Sequence, residues 1–318
     1  MSFLCVALVA AAGENGVSVH GALKVVGTKL VNTHGVPVQL RGMSSHGLHW
    51  YPEYTNITAL LDLKKLGANV FRAAMYADSN KGGYNDGEAN MGLNKRLLRL
   101  AVENTIAADM YAIIDWHILE DKNPMNTVDS AEAFFEEMSS LYAGHEGIIY
   151  EICNEPNGET TWADIALYAE RIIPVIRKND PGAVILVGTP HYSSRILDVL
   201  EAPLAYDNLM YSFHYYTGFT DYIPMEALDK AKEAGLPIFV SEWGMNEKEN
   251  TETDIEKAEN FIKYMQKNQL SWVNWSLCNK EEGFSAIKHE VLKINGWSGE
   301  DLTVSGQIIF RALGGADN

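Results

Sequence analysis

The chain has 318 residues, 47% of them hydrophobic, enough to bury a sizeable core in one large domain or two ordinary ones. Its 25 basic and 42 acidic residues leave a formal charge of −17, a field that repels a phosphate backbone and argues against nucleic acid as a partner. No segment has the length and apolarity of a transmembrane helix, so no membrane partner is expected.

The predicted elements begin with an apolar run at 3–12, Phe-Leu-Cys-Val-Ala-Leu-Val-Ala-Ala-Ala. With Val9-Ala10-Ala11 or Ala10-Ala11-Ala12 before a cleavage point, it reads as a secretory signal over 1–13, although only Met1 and Ser2 stand where a basic region belongs. The mature protein is therefore expected outside the cell. Cys5 would leave with that signal. Cys153 and Cys278 end two different strands and read as buried thiols, with a bridge between them left open.

Residues 23–31 alternate around a turn, and Asn32-Thr33-His34-Gly35 leads into 36–41. This pattern predicts a β-hairpin feeding the first core strand. Short apolar strands follow at 38–43, 69–75, 111–116, 148–153, 183–188, 209–213, 237–241 and 271–277. Helical patterns lie between most of them, at 57–66, 93–108, 131–142, 162–178, 225–234 and 254–267. A brief helix is predicted at 193–200 and a closing one at 304–313. Strands that read as continuous apolar runs are buried on both faces, as parallel strands are. The order and length predict an α/β protein, a single-domain (β/α)8 TIM barrel over 18–313 with an N-terminal β-hairpin and a tail at 314–318. A doubly wound sheet is the alternative, weakened by the lack of a Gly-rich phosphate loop after the first strand.

Two strands end on glutamates, in Ile152-Cys153-Asn154-Glu155-Pro156 and Phe239-Val240-Ser241-Glu242-Trp243-Gly244. A lone strand-end glutamate is usually a solvated surface residue. Two of them on one barrel rim could supply the carboxyl pair that breaks a glycosidic bond. That rim would also receive His46, Arg72, His117, Asn154, His214, Tyr216 and Trp275, because residues after each strand of a barrel gather at one face. Metal binding is the competing use of such a set. No HExxH, paired-cysteine or close His/Asp spacing is present, so neither a metal nor a cofactor is expected.

Phe71-Arg72, Asp115-Trp116-His117, Asn154-Glu155-Pro156, His214-Tyr215-Tyr216, Ser241-Glu242-Trp243-Gly244 and Asn274-Trp275-Ser276, in that order, resemble glycoside hydrolase family 5. The likeness is to its bacterial-type endoglucanases, which share the opening Arg41-Gly42-Met43-Ser44-Ser45-His46-Gly47, and it runs from about Val25 to Leu313. It implies a metal-independent, monomeric endo-β-1,4-glucanase that cleaves internal bonds of cellulose-type β-1,4-linked glucan with retention. It makes Glu242 the nucleophile and Glu155 the acid/base. Arg72 would keep Glu242 ionised, Tyr216 would donate to it, and Asn154 would hold it while binding the sugar 2-hydroxyl. His117 and His214 would contact sugar hydroxyls or orient Glu155.

The same resemblance puts Trp275 under the sugar at the point of cleavage and Trp50 under the next sugar. Lys280 and Glu282 would bind hydroxyls further out, beside His46. Tyr76 lines the cleft or packs, while Trp116 and Trp243 support the barrel. Related activities on β-mannan, mixed-linkage glucan or xyloglucan stay open. A silent sugar-binding barrel is disfavoured because both glutamates are present. Many relatives carry a carbohydrate-binding module behind a linker; this sequence stops after the last predicted helix, so soluble or amorphous chains are the expected substrate. Asn56-Ile57-Thr58 is a glycosylation sequon at a helix start, whereas Asn274-Trp275-Ser276 falls in a predicted core strand.

Overall fold

The computed structural model describes residues 15–218 and 224–314. The expected signal, with Cys5, lies outside the described residues, and of the expected tail only Gly314 is described.

A short helix α1 (Val17–His20) precedes a hairpin of β1 (Lys24–Val26) and β2 (Lys29–Val31), paired antiparallel with Val25 opposite Leu30. Strands and helices then alternate: β3 (Arg41–Ser45), α2 (Ile57–Lys65), β4 (Val70–Tyr76), α3 (Glu88–Ala107), β5 (Tyr111–His117), α4 (Val128–Leu141) and β6 (Ile148–Glu151). The second half continues with α5 (Trp162–Asn179), β7 (Val184–Val187), α6 (Pro190–Ser193), β8 (Leu209–Tyr216), α7 (Pro224–Glu233), β9 (Ile238–Gly244), α8 (Glu252–Asn268), β10 (Trp272–Leu277) and α9 (Val304–Leu313). Strands β3 to β10 are parallel to their neighbours and close into a barrel with β10 beside β3. The (β/α)8 barrel and its hairpin are as expected.

Period-two alternation explains the layers. On β4, Phe71, Ala73 and Met75 face the helices and join the large outer core, while Val70 belongs to a separate inner cluster. That inner cluster also takes Tyr111, Ile113, Ile149, Val184, Leu186, Met210, Phe239 and Val273 from the strand starts, and Leu23, Leu30 and Val38 from the hairpin region. The hairpin thus plugs the barrel where the strands begin. Val25 N–H donates to Asn208 Oδ1 at 3.0 Å, and the Tyr111 hydroxyl donates to the Gly21 carbonyl at 2.6 Å. The opposite end is left open.

Helix α5 shows why these segments coil. Thr161 and Asp164 close a capping box at its start, and Ile165, Tyr168, Ala169, Ile172, Ile173 and Ile176 form one buried stripe at helical spacing. Each isoleucine of that stripe contributes roughly 1.5–3 kcal/mol on burial. Asn56 caps α2: its Oδ1 accepts from Ala59 N–H at 2.9 Å, and its Nδ2 donates to Glu53 O at 2.7 Å and Ile294 O at 2.9 Å. Both amide hydrogens of the sequon asparagine are therefore spent inside the fold. Asn274 is fully buried in β10. Cys153 and Cys278 are buried, free thiols.

Candidate active site

At the open end the inward positions turn polar. Above Val70 on β4 come Arg72, Ala74 and Tyr76; above Ile113 on β5 come Asp115 and His117; above Ile149 on β6 comes Glu151. On β8 the inward series is Met210, Ser212, His214 and Tyr216. Strand β9 breaks the alternation: Ser212 pairs with Phe239, but His214 pairs with Glu242, one residue further than period two allows. This irregularity lets Ser241 and Glu242 both face the interior.

Arg72 is the hub. Fully buried, it donates from Nε to Glu151 Oε2 at 2.6 Å, from Nη1 to Glu242 Oε2 at 2.7 Å and from Nη2 to Asn154 Oδ1 at 2.7 Å. Nη2 also lies 3.0 Å from Asp115 Oδ2. Only a guanidinium carries enough donors in one plane to serve this set. Asn154 donates from Nδ2 to Ile118 O at 3.1 Å and to His117 Nε2 at 3.2 Å, and His117 Nδ1 meets Asp115 Oδ2 at 2.6 Å. Asn154 therefore reaches Glu242 through Arg72. Burial, seconded by the Arg72 charge, lowers His117 to about 3, so it is a neutral imidazole.

Glu155 and Glu242 face each other across the open end, one oxygen of each lying within 4.8 Å of the other. Their environments differ in charge. Burial first, and then the Glu242 carboxylate, raise Glu155 to about 7. Burial also opposes the charge on Glu242, but His214, Arg72 and the Tyr216 hydroxyl, donating to Oε1 at 2.6 Å, hold it below the usual carboxylate range. His214 meets Glu155 Oε1 through Nδ1 at 2.9 Å and Ser241 Oγ through Nε2 at 3.1 Å. Glu242, Glu151 and Glu155 overcome burial and raise it to about 9. Glu155, His214 and Glu242 offer donor atoms at a spacing a cation could use, yet a protonated imidazole occupies that role with its own charge.

Above the pair lies a cleft of about 340 Å³ lined by His46, Tyr76, His117, Tyr216, Trp275 and Lys280 together with the two glutamates. Trp275 packs its ring 5.3 Å from that of His117 at an interplanar angle of 19° and forms a small apolar cluster with Ala74 and Tyr76. Glycine at 244 is needed beside it: a Cβ there would stand 2.7 Å from Tyr216 Cε1. Trp50 stands outside the cleft lining, 40% exposed, its ring 4.7 Å from Tyr76 and 5.7 Å from His46. Lys280 Nζ pairs with Glu282 Oε2 at 2.5 Å, and the Glu282 side chain is only 4% exposed. Glu282 lies outside the cleft lining, with Oε1 3.9 Å from His46 Nε2.

Residues 31–281 match the sequence profile of Cellulase (glycosyl hydrolase family 5). The chain belongs to this family. Within the family, it is 41% identical over 303 residues to an endoglucanase of Clostridium saccharobutylicum, a match covering 94% of this chain and 66% of that protein. The chain thus spans about two thirds of that relative's length. Among solved structures it resembles the catalytic domain of Thermobifida fusca endoglucanase Cel5A, with 34% identity, a TM-score of 0.85 and coverage of 93% of this chain and 98% of that one. A variant of that catalytic domain, in complex with cellotetraose, matches with 33% identity, a TM-score of 0.85 and the same coverage.

Three members of this family 5 site were given no role by the sequence reading. Glu151, Ser212 and Ser241 are fully buried, and both serine hydroxyls donate to Glu151 Oε1, at 2.8 and 2.5 Å. Asp115, quoted only within a motif, joins Arg72 to His117. A signal for Glu151 did exist: it is a charged residue inside the predicted strand 148–153, where none should be buried without a partner. Asn246, Glu247 and Phe284 also line the cleft, on loops where sequence carries no periodic cue.

Proposed function

We propose that the chain hydrolyses internal bonds of cellulose-type β-1,4-glucan by double displacement with retention of configuration. One observation carries this reading: two carboxyl groups close enough for direct attack, one held neutral and the other held charged. Retaining enzymes separate the pair by about 5–5.5 Å, whereas inverting ones leave room for a water at about 6.5–9.5 Å.

In the first step Glu242 attacks the anomeric carbon while Glu155 gives its proton to the departing glycosidic oxygen. The C–O bond to the leaving sugar breaks as the bond to Glu242 forms. Arg72 and Tyr216 hold the nucleophile in place and keep it anionic before attack. Once Glu242 is esterified its charge is gone, which removes one of the causes that raise Glu155. Glu155 then takes a proton from water, the hydroxide oxygen bonds to the anomeric carbon, and Glu242 leaves as carboxylate. Trp275 gives the sugar an apolar floor, and Trp50 a further platform. For Asn154 to bind the 2-hydroxyl, it would have to trade its 3.2 Å bond to His117.

The substrate reading is supported by the relatives' names and by a neighbour solved with cellotetraose. We also take the protein to act outside the cell, on the strength of the apolar run at 3–12. Among the described residues no helix is long and apolar enough to cross a membrane.

The test is hydrolysis of carboxymethylcellulose, barley glucan, mannan and xyloglucan, with the product anomer followed by proton NMR. The expected result is preference for the cellulose derivative and a β-anomer formed first. Glu155→Gln and Glu242→Gln should each lose activity on these polymers. A first-formed α-anomer, or near wild-type rate in Glu242→Gln, would refute the mechanism; preference for mannan would overturn the substrate alone.

A further inference from the structure

Glu151 has no place in the double displacement, yet it is the carboxylate most deeply tied into the site. It is fully buried on β6 and takes Arg72 Nε on one oxygen. Its other oxygen accepts from Ser212 Oγ at 2.8 Å and Ser241 Oγ at 2.5 Å. A serine hydroxyl has one hydrogen. Because Ser241 gives that hydrogen to Glu151, its oxygen can only accept from His214 Nε2, 3.1 Å away. Nε2 therefore carries a hydrogen. If Nδ1 were bare, it would accept the proton of Glu155 and turn it away from the sugar. Glu242 Oε1 lies 3.7 Å from Nδ1 and Glu151 Oε1 lies 3.9 Å from Nε2, so carboxylates flank both nitrogens.

We propose that Glu151, acting through Ser241, is a positioning residue that fixes His214 as an imidazolium donating from both nitrogens. Nδ1 then donates to Glu155 Oε1, and the acid's own proton is confined to the oxygen that faces the cleft. The arrangement also balances charge: Glu151 and Glu242 carry the negative charge, and Arg72 and His214 the positive. The groups that face His214 are Glu151 and Glu155 from β6 and its following loop and Ser241 and Glu242 from β9, with Tyr216 of β8 bonded to Glu242. Arg72 on β4 and Asp115 and His117 on β5 act from behind them. Asp115 cannot replace Glu151, because burial pushes it well above the ordinary range and it bonds to neither serine.

The inference rests on Glu155 being the acid, and its test has one readout that does not depend on turnover. Imidazole nitrogen NMR of the ¹⁵N-histidine-labelled protein at neutral pH should show both His214 nitrogens protonated. In Ser241→Ala the imidazolium loses its Nε2 acceptor, so His214 should release its proton at a pH lower by about one unit. Because Glu155, at about 7, still loses the first proton, the basic limb of kcat/KM should move by less than about 0.2 unit. With cello-oligosaccharides kcat should drop about tenfold and KM should change less than about twofold. Glu151→Gln should move the His214 titration and kcat the same way, and Ser241→Thr, which keeps the hydroxyl, should restore them. Ser241→Ala leaves the Arg72–Glu151 pair in place, so it decides the matter even where Glu151→Gln fails to fold. A bare His214 nitrogen in the unaltered protein, or an unchanged His214 titration in Ser241→Ala, would overturn the proposal whether or not the chain hydrolyses glucan.

Discussion

Replacing Arg72 by lysine conserves charge and tests whether the hub works through its geometry. Arg72 serves Glu151, Glu242 and Asn154 at 2.6–2.7 Å and Asp115 at 3.0 Å, with no exposed surface. A lysine presents three hydrogens from one point and cannot reach four acceptors spread around a plane. At least one buried carboxylate loses its partner. Breaking a buried pair in this way costs about 3–5 kcal/mol. At about 2 °C per kcal/mol for a chain of this size, Tm should fall by about 6–10 °C. Glu242 also loses a positioned donor, so its proton affinity should rise and kcat/KM should fall by about a hundredfold or more. Chemical unfolding and steady-state kinetics on a soluble cello-oligosaccharide read both effects. A lysine variant within about 1 kcal/mol of the parent, with activity intact, would refute the account of the hub.

The pH profile of kcat/KM should fall on its basic side through about 7, because burial and Glu242 raise Glu155 and the proton it must donate is lost above that value. A profile flat to pH 9 would remove Glu155 as the acid. Tyr216→Phe deletes the 2.6 Å bond to Glu242 Oε1, so the acidic limb should rise by about one unit while the basic limb moves little. Asn56→Ala removes the cap of α2 and should cost about 1 kcal/mol, or about 2 °C in Tm. Secretion from a eukaryotic host should leave Asn56 unglycosylated in the folded protein, a result that intact-mass measurement reads directly.

The barrel could be read from the chain because strands buried on both faces are spelled as unbroken apolar runs, and their starts were placed within a residue for β4 to β10. The exceptions have causes. The first core strand was expected at 38–43 but runs Arg41–Ser45, since Val38 bonds to Leu30 of the hairpin and sheet pairing begins only at Arg41. Strands β8 and β9 extend three residues past the expected ends, through Tyr216 and Gly244, because their inward positions there are polar and belong to the site. The helix expected at 193–200 is a 3-10 segment at Ile196–Glu201, preceded by the short α6, in which His191, Tyr192 and Ser193 have positive φ. The two glutamates were singled out by their places at strand ends, with Arg72 and Trp275 on the same rim, and their roles came from the resemblance. Glu151 and Ser241 were not singled out, since a charge or hydroxyl within a strand declares its partner only when the strands are set side by side.

The central claim, that Glu242 attacks while Glu155 protonates, is tested most directly by trapping the covalent intermediate. A cellobioside with fluorine at carbon 2 and a good leaving group slows both steps but needs little acid help in the first. Incubation, proteolysis and mass spectrometry should find the glycosyl group on the peptide containing Phe239–Gly244, at Glu242, and none on Glu155. A label on Glu155, or no label from a protein that inverts configuration, would contradict the account.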